Sequence, residues 1–215
     1  MTLTSYNEIA ARGLDRIAAL SDGLFAIAMT LIVFEIRVPD PGPIHSDGDL
    51  FGALLLLGPR IVTYLLSFMT LGIFWNGQQT QLNHIARADR HLAWLSLAFL
   101  ATVAVMPFST SLLAEFITFR LALILYWLNI VACGALLYAI WAYAGRAGLL
   151  KSDTPPEVRG LVRRRIIGAQ ALYAIGAALC LVPFLPSSTY WSIAFIVLVQ
   201  LNFAVAPRIP WLSKL

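Results

Sequence analysis

The chain has 215 residues, of which 60% are hydrophobic and 12% are charged, with a mean hydropathy of +0.79 and a net charge of +4. A soluble domain of this size carries roughly 45–50% apolar and about 25% charged residues, because its surface needs a polar coat. The composition therefore argues against a soluble enzyme, a disordered chain, a coiled coil or a secreted disulfide scaffold. It predicts a single all-α membrane domain over residues 1–215.

Six apolar segments approach the length of about 20 residues that a spanning helix needs. They cover residues 18–38, 61–78, 92–113, 121–144, 166–185 and 190–206. The apolar stretch Leu50–Leu57 is too short to span, and Gly58-Pro59 separates it from the second segment. We expect it to form a short interfacial or packing helix. Thr154-Pro155-Pro156-Glu157 reads as a capping box, so we expect the fifth helix to begin there, outside the membrane.

Basic residues are distributed unevenly between the two ends of the predicted helices, twelve against three. By the positive-inside rule, this bias predicts that both termini face the cytoplasm. It also explains the positive net charge, so a nucleic-acid partner has no separate support. The twelve are Arg12, Arg16, Arg87, Arg90, Arg146, Lys151, Arg159, Arg163, Arg164, Arg165, Arg208 and Lys214; the three are Arg37, Arg60 and Arg120.

The first segment is unusual because it carries Asp22 about one turn inside its cytoplasmic end. A carboxylate at membrane depth is costly and marks either a functional site or a structural network. Arg16 lies about 240° away round the helix, so the partners of Asp22 should come from other helices. Trp75 and Gln78 end the second segment at the same depth. We favour an interhelical hydrogen-bond lock, with a transported proton or substrate at Asp22 as the alternative.

Ile27, Thr30, Leu31 and Phe34 form one stripe on the first segment at spacings i, i+3, i+4 and i+7. Taken alone, this stripe is more simply explained by packing or lipid contact. The chain has no metal triad, nucleophile elbow or phosphate loop, and its two cysteines lie in apolar stretches. We therefore predict that it is not an enzyme and that it needs neither a cofactor nor a resident metal.

Residues 16–31 read Arg-Ile-Ala-Ala-Leu-Ser-Asp-Gly-Leu-Phe-Ala-Ile-Ala-Met-Thr-Leu. This sequence resembles the Arg-x-x-x-Phe-Ser-Asp signature of bacterial relatives of the lysosomal potassium channel, transmembrane protein 175. Ser67-Phe68 and Phe74-Trp75 in the second segment, and Pro107-Phe108-Ser109-Thr110 in the third, are similar to the same family. Two positions depart from it: Leu20 replaces the phenylalanine, and Gln78 stands where the family often has histidine. Since glutamine does not titrate, a protonatable role at that position is in doubt.

The resemblance implies a potassium-permeable channel of a bacterial plasma membrane, formed by a homotetramer whose first helices line the pore. It places the constriction at Ile27, with Thr30, Leu31 and Phe34 beyond it. It also implies a structural role for the signature residues Arg16, Ser21 and Asp22, together with Trp75 and Gln78. The permeating ions would be potassium and other monovalent cations.

The residues are compatible with this reading. The chain has no TVGYG-type carbonyl filter, so an apolar collar and threonine hydroxyls would have to shape the pore. Glu35 and Asp40, repeated in each subunit, would form an acidic outer mouth that concentrates cations. The alternative is a proton-coupled secondary transporter that uses Asp22 or Glu35 as its titrating site. Against it, we find no inverted repeat and no paired broken helices in the sequence.

Overall fold

The computed structural model describes residues 13–182 and 188–205, with side chains up to residue 203. These residues form seven α-helices and no β-strand, which confirms the all-α class. The helices are α1 (Leu14–Leu31, continued by a 3-10 turn at Ile32–Glu35), α2 (Asp47–Leu56), α3 (Gly58–His84), α4 (Arg90–Glu115), α5 (Arg120–Arg146), α6 (Pro156–Leu179) and α7 (Ser188–Val205).

Three helical segments are each long and apolar enough to cross a membrane: Leu14–Glu35, Arg90–Glu115 and Arg120–Arg146. Helices α2 and α3 qualify as a fourth crossing if they are counted as one span with a 46° bend. The number of six spans is therefore not confirmed. Helix α6 is not apolar enough to count as a crossing, because charged residues occupy its first half. The apolar part of α7, Ser188–Phe203, is short.

The first helix ends earlier than predicted. We expected a span through residue 38, but the α-helix ends at Leu31 and tightens into a 3-10 turn, with the Ile36 N–H donating to the Val33 carbonyl. Pro39 disfavours helical geometry at Val38, which is consistent with the chain leaving the helix before that point. Phe34 consequently lies in the 3-10 turn rather than in the α-helix.

Helices α4 and α5 begin and end within two residues of the predicted segments 92–113 and 121–144, whereas some other boundaries shift further. Helix α3 extends from Gly58 to His84, well beyond the predicted residues 61–78. Helix α6 begins where expected but ends at Leu179 rather than at residue 185. The expected capping box is wrong: Pro155 is the N-cap, and the Thr154 hydroxyl is buried with no hydrogen bond to a described residue. Residue 206, the predicted end of the last span, lies outside the described residues.

Helix α2 confirms the expected short helix before the second span. Ser46 caps it, because its hydroxyl oxygen accepts from the Asp49 backbone N–H at 3.2 Å. The chain bends by 46° between α2 and α3, next to Gly58 and Pro59. Proline is tolerated there because the first N–H groups of a helix have no partner within the helix.

An aromatic cluster joins α1 to the body of the bundle. Phe25 of α1 lies 6.1 Å from Phe99 of α4, and Phe74 of α3 lies 6.3 Å from the same ring, measured between ring centroids. All three side chains are buried. Aromatic rings of this size contribute a large share of a core's packing energy. Helix α1 is therefore held against α3 and α4 along one face.

The two connections at the end of the bundle rich in arginine, here called the basic end, are tied together. The Ala86 N–H donates to the Leu149 carbonyl at 2.8 Å, and the Lys151 N–H donates to the His84 carbonyl at 2.9 Å. These bonds form a single antiparallel bridge between Ile85 and Leu150. The loop after α3 and the loop after α5 therefore hold each other in place.

Candidate functional site

Helix α1 has one buried face and one open face. Ser21, Phe25, Ala28 and Ile32 are buried against the bundle at spacings i, i+4, i+7 and i+11. On the opposite side the side chains are uncovered, with Ile27 60% exposed. A helix embedded in a completed bundle would have most of its circumference covered. One side of α1 is therefore largely uncovered within the described part of the chain.

The predicted pore residues all lie on this open face. Phe34 is 73% exposed and Leu31 is 46% exposed, and Thr30 is also exposed. At 100° per residue, Ile27, Thr30 and Leu31 fall within about one third of the helix circumference, and exposed Phe34 follows them in the 3-10 turn. The structure thus places Ile27, Thr30, Leu31 and Phe34 together on the side of the helix that faces away from the buried core.

The open face borders a shallow groove of about 350 Å³ between α1 and α4. Ala104 and Pro107 form the α4 wall, and the α1 wall is built from apolar and small residues. The groove is open beside Gly23, since nothing lies within 4 Å of the point where a Cβ would stand. The α1 residues that line it are Ala19, Leu20, Gly23, Leu24, Ile27, Ala28 and Leu31.

The Thr30 hydroxyl has a defined orientation. It donates to the Ile27 backbone carbonyl at 2.8 Å, the usual local bond of a threonine in a helix. Because the hydrogen is used within the helix, the oxygen lone pairs remain free on the exposed side. Thr30 therefore presents an acceptor, and this is the chemistry that a cation needs.

Asp22 is bound to helix α3 by two hydrogen bonds to the same oxygen. The indole Nε1 of Trp75 donates to Asp22 Oδ1 at 2.8 Å, and the Gln79 side-chain Nε2 donates to it at 2.5 Å. Both bonds are charge-assisted, which makes them stronger than bonds between neutral groups. Asp22 is thus tied to the neighbouring helix rather than to charged residues of α1.

Ser21 extends this contact toward the core. Its buried hydroxyl accepts from Gln78 Nε2 at 3.0 Å and donates to the Ile17 carbonyl at 2.8 Å. The side-chain oxygen of Gln78 is buried and has no partner among the described residues. Asp22, Ser21, Trp75, Gln78 and Gln79 together form the α1–α3 polar layer.

Not every predicted member joins this layer. Arg16 is exposed and makes no hydrogen bond or ion pair with any residue that the structure describes. At the same end of the bundle, His91 of α4 packs edge-on against Tyr143 of α5, and the Tyr143 hydroxyl donates to Asp89 at 2.5 Å. The first residues of α4 are therefore used in a contact with α5.

The opposite end of the bundle carries the predicted acidic residues. Arg60 forms an ion pair with Glu115 at 2.6 Å and donates to the Glu35 backbone carbonyl at 3.4 Å. Arg60 thus ties the 3-10 turn to α3 and α4. Asp40 accepts from the Gly42 N–H at 3.1 Å, closing a local turn. Bonds from the Ser46 hydroxyl and from the His45 N–H lower the pKa of Asp49.

A buried group of hydroxyls lies between α3, α4, α5 and α7. Thr110 donates to Ser67 at 2.7 Å, Ser67 donates to the Tyr126 hydroxyl at 3.3 Å, and Thr70 lies 2.9 Å from the same oxygen. Gln200 donates to Thr70 at 2.6 Å. Such a network fixes the register of the helices, because each hydroxyl provides a hydrogen-bond partner for another.

Sequence reasoning placed Gln79 among the polar residues at the end of the second segment but did not single it out as a partner of Asp22, and it did not assign the hydroxyl group to a site. Gln79 lies four residues after Trp75, so the two side chains share one face of α3. This spacing is the signal that could have indicated Gln79 as a second donor to Asp22. The hydroxyl group has no comparable signal. Its residues are far apart along the chain, and ordinary serines and threonines occur throughout membrane helices.

Comparison with known proteins decides the family. Residues 16–107 match the family model described as the endosomal/lysosomal potassium channel TMEM175. A potassium channel of Chamaesiphon minutus is 30% identical over 195 residues, which cover 88% of this chain and 93% of that relative. The chain belongs to the TMEM175 family. The resemblance seen in the first-helix signature is confirmed, and the family is one of channels rather than enzymes.

Further relatives match over shorter stretches. A potassium channel of Streptomyces collinus is 37% identical over 139 residues, covering 63% of this chain and 66% of the relative. The human endosomal/lysosomal proton channel TMEM175 is 36% identical over 98 residues, 43% of this chain but 19% of the human protein. This TMEM175-family chain therefore spans just under two thirds of the Streptomyces channel and about one fifth of the human one.

The fold also matches a solved TMEM175 structure. The crystal structure of a lysosomal potassium-selective channel TMEM175 homolog from Chamaesiphon minutus superposes with a TM-score of 0.74 at 27% identity. The match covers 90% of this chain and 97% of that one.

Proposed function

We propose that this TMEM175-family chain forms a potassium-permeable cation channel, and that the open face of α1 lines its pore. The observation that carries the proposal is the division of α1 into a buried face around Phe25 and an exposed face around Ile27. Relatives named as potassium channels support it independently.

The assembly that we propose is a homotetramer in a bacterial plasma membrane, with six spans per subunit and both termini in the cytoplasm. One α1 helix cannot enclose a pore, and cyclic symmetry is the simplest way to bring several together. The apolar open face and the groove beside Ala104 and Pro107 would then be covered by neighbouring copies of the chain. In this account residues 1–215 form one channel domain.

The pore would be selective without a carbonyl filter. Four Ile27 side chains would form an apolar collar that blocks ions by narrowness and loss of water. Four Thr30 oxygens, one turn away, would offer acceptor lone pairs to a partly dehydrated cation. Leu31 and Phe34 would line the wider path beyond, toward Glu35.

The signature residues would serve assembly rather than permeation. Two hydrogen bonds from α3 hold the Asp22 carboxylate, and Gln78 holds Ser21. These bonds would fix the rotation of α1 and so determine which of its side chains reach the pore. We propose the same supporting role for Arg16, whose partner would have to be a residue outside the described ranges or in another subunit.

Glu35 and Asp40 would form the acidic mouth at the opposite end of the pore. Arg60 holds the Glu35 backbone carbonyl, and the Asp40 carboxylate accepts a hydrogen bond from the Gly42 N–H, which stabilises the turn there. Four copies of each would raise the local concentration of cations and repel anions. The positive charges of Arg60 and Arg37 would partly offset this effect.

Potassium flux from proteoliposomes tests the proposal against a coupled carrier. A channel releases potassium down its gradient without a second substrate, at a rate that rises steadily with the gradient. A carrier with Asp22 or Glu35 as its titrating site would require a proton gradient and would saturate. We expect the first result; flux that depends strictly on a proton gradient would favour the second.

A further inference from the structure

The 3-10 turn that ends α1 is attached to the bundle by few contacts beyond its first residue. Ile32 is fully buried, but no residue from 33 to 46 is buried. The Glu35 backbone carbonyl accepts from the Arg60 side chain of α3 at 3.4 Å and from the Arg37 N–H at 3.1 Å. Within the described residues, the Arg60 bond is the one hydrogen bond that joins residues 33–46 to α3, α4 or α5.

Arg60 uses two different nitrogens for its two contacts. Its Nη1 donates to the Glu35 carbonyl, whereas its Nη2 pairs with Glu115 of α4 at 2.6 Å. The Arg60 side chain is 21% exposed, so the guanidinium lies largely against protein. A guanidinium presents its donors in a rigid planar fork, so a carboxylate that holds one nitrogen also orients the other. The pair with Glu115 therefore aims Arg60 at the turn.

The guanidinium meets a helix end that has no positive charge of its own. The last carbonyls of a helix lack partners within the helix, and a positive charge near them is favourable. No basic residue lies in the last turn of α1 or in the 3-10 turn that follows it. Arg60 thus supplies, from α3, the charge that the end of α1 lacks.

Side-chain packing leaves room beside the turn. An open space of about 270 Å³ lies between Arg37 and α4, and its α4 wall includes Phe108, Leu112 and Glu115. Phe34, which precedes Glu35 in the turn, is 73% exposed. Because the subunit does not enclose this part of the chain, the hold on the Glu35 carbonyl matters for where the Phe34 ring lies.

We propose that Arg60 is a positioning residue for ion permeation. Oriented by Glu115, it fixes the 3-10 turn through the Glu35 carbonyl and keeps the Phe34 ring at the wall of the pore. This inference rests on the proposed channel function, in which the open face of α1 lines the ion path. Without the Arg60 bond the turn would shift, and the Phe34 rings of several subunits would enter the path. Arg60 itself would not contact the ion.

A double-mutant cycle of single-channel conductance on the full chain tests this role. Arg60→Lys keeps the positive charge but has a single nitrogen, which cannot occupy both positions at once. We expect Arg60→Lys to lower potassium conductance about threefold when Phe34 is present and less than about 1.3-fold when Phe34→Ala is also present. Equal losses in the two backgrounds would overturn the proposal, because Arg60 would then not act through Phe34.

Arg120→Lys is the matched control for the cycle. Arg120 begins α5 at the same end of the subunit and is exposed, and its side chain has no hydrogen bond or ion pair with any residue that the structure describes. We expect this variant to conduct as the unmodified channel does. A loss as large as that of Arg60→Lys would overturn the proposal, since the Glu35 contact would then be irrelevant.

Two neutralising variants separate positioning from surface charge. If the two side chains acted only through the field at the pore mouth, Arg60→Gln would raise the cation current and Glu115→Gln would lower it. We expect both variants to lower potassium conductance, because each releases the turn. The losses should persist in about 1 M potassium chloride, where surface fields are screened within about 3 Å. Changes of opposite sign would overturn the proposal.

Thiol labelling measures the turn without relying on conduction. Phe34→Cys adds a thiol to a chain whose own cysteines, Cys133 and Cys180, are both buried. Adding Arg60→Lys should make labelling by a water-soluble maleimide about threefold faster, because a released turn opens more often. An unchanged rate would overturn the proposal even if the chain conducts. Faster labelling in a chain whose unmodified form carries no potassium current would instead refute the proposed function, and with it any role of Arg60 in permeation.

Discussion

The indole nitrogen of Trp75 donates to the carboxylate of Asp22 at 2.8 Å, joining α3 to α1 across residues 53 positions apart in the chain. Gln79 donates to the same oxygen one turn further along α3. We propose that these two bonds set the rotation of α1 about its own axis. That rotation would keep Phe25 facing the bundle and Ile27 facing away from it.

Replacing Asp22 with alanine should destabilise the protein by about 1–3 kcal/mol, because it leaves the Trp75 and Gln79 donors without an acceptor. Asp22→Asn should cost less, since it retains the oxygen. Thermal unfolding and size-exclusion chromatography in detergent measure the effect. Trp75→Phe, which removes one donor and keeps an aromatic ring, provides an intermediate case. If Asp22→Ala assembles normally and changes only ion selectivity, Asp22 lies in the permeation path instead.

Replacing Ile27 with asparagine should raise the potassium conductance severalfold and weaken discrimination against sodium. A polar ring lowers the cost of bringing water through the constriction together with the ion. The matched control is Leu125→Asn on α5, an apolar residue that is 41% exposed and lies on another helix. Single-channel recording in planar bilayers compares the two. Larger currents from the control than from Ile27→Asn would mean that α1 does not line the pore.

Replacing Thr30 with valine should lower potassium conductance severalfold, because valine has the same shape but no oxygen. Thr30→Ser should behave nearly as the unmodified protein, since it can make the same bond to the Ile27 carbonyl and present the same lone pairs. Conductance and reversal potential, recorded for both variants under identical salt, check this prediction. Similar currents from the valine and serine variants would show that the hydroxyl does not contact the ion.

Replacing Tyr126 with phenylalanine should lower stability by about 1–3 kcal/mol and leave ion selectivity unchanged. The change removes the hydroxyl that Ser67 and Thr70 share in the buried interior. Tyr64→Phe is the control, because the Tyr64 hydroxyl has no hydrogen bond to any described residue. Unfolding midpoints in detergent compare the two variants. Equal midpoints would show that the hydroxyl group does not stabilise the fold.

The sequence predicted the class of fold and the stripe on α1 because both depend on local patterns. Apolar composition and helical periodicity suffice to place Ile27, Thr30 and Leu31 on one side of a helix. They do not indicate which side faces the bundle. That depends on Phe25 packing against Phe99 and on Asp22 meeting Trp75, and both contacts join residues more than 50 positions apart.

Helix ends were predicted less well. The end of α1 depends on a 3-10 turn whose Glu35 carbonyl is held by Arg60, a contact that a local pattern cannot reveal. The beginning of α6 looked like a capping box, yet Thr154 is buried and makes no cap. The close approach of Gln170 to Gly134 could not be predicted either, because it joins α6 to another helix, α5.

The most direct test of the account is a reversal potential measured on the purified full chain in a planar bilayer, with potassium chloride on one side and sodium chloride on the other. Through a potassium-selective channel, the current reverses at a voltage well away from zero, with the sign expected when potassium carries the charge. No second substrate is needed for this current. No potassium current, or a current that requires a proton gradient and saturates with it, would contradict the proposed channel.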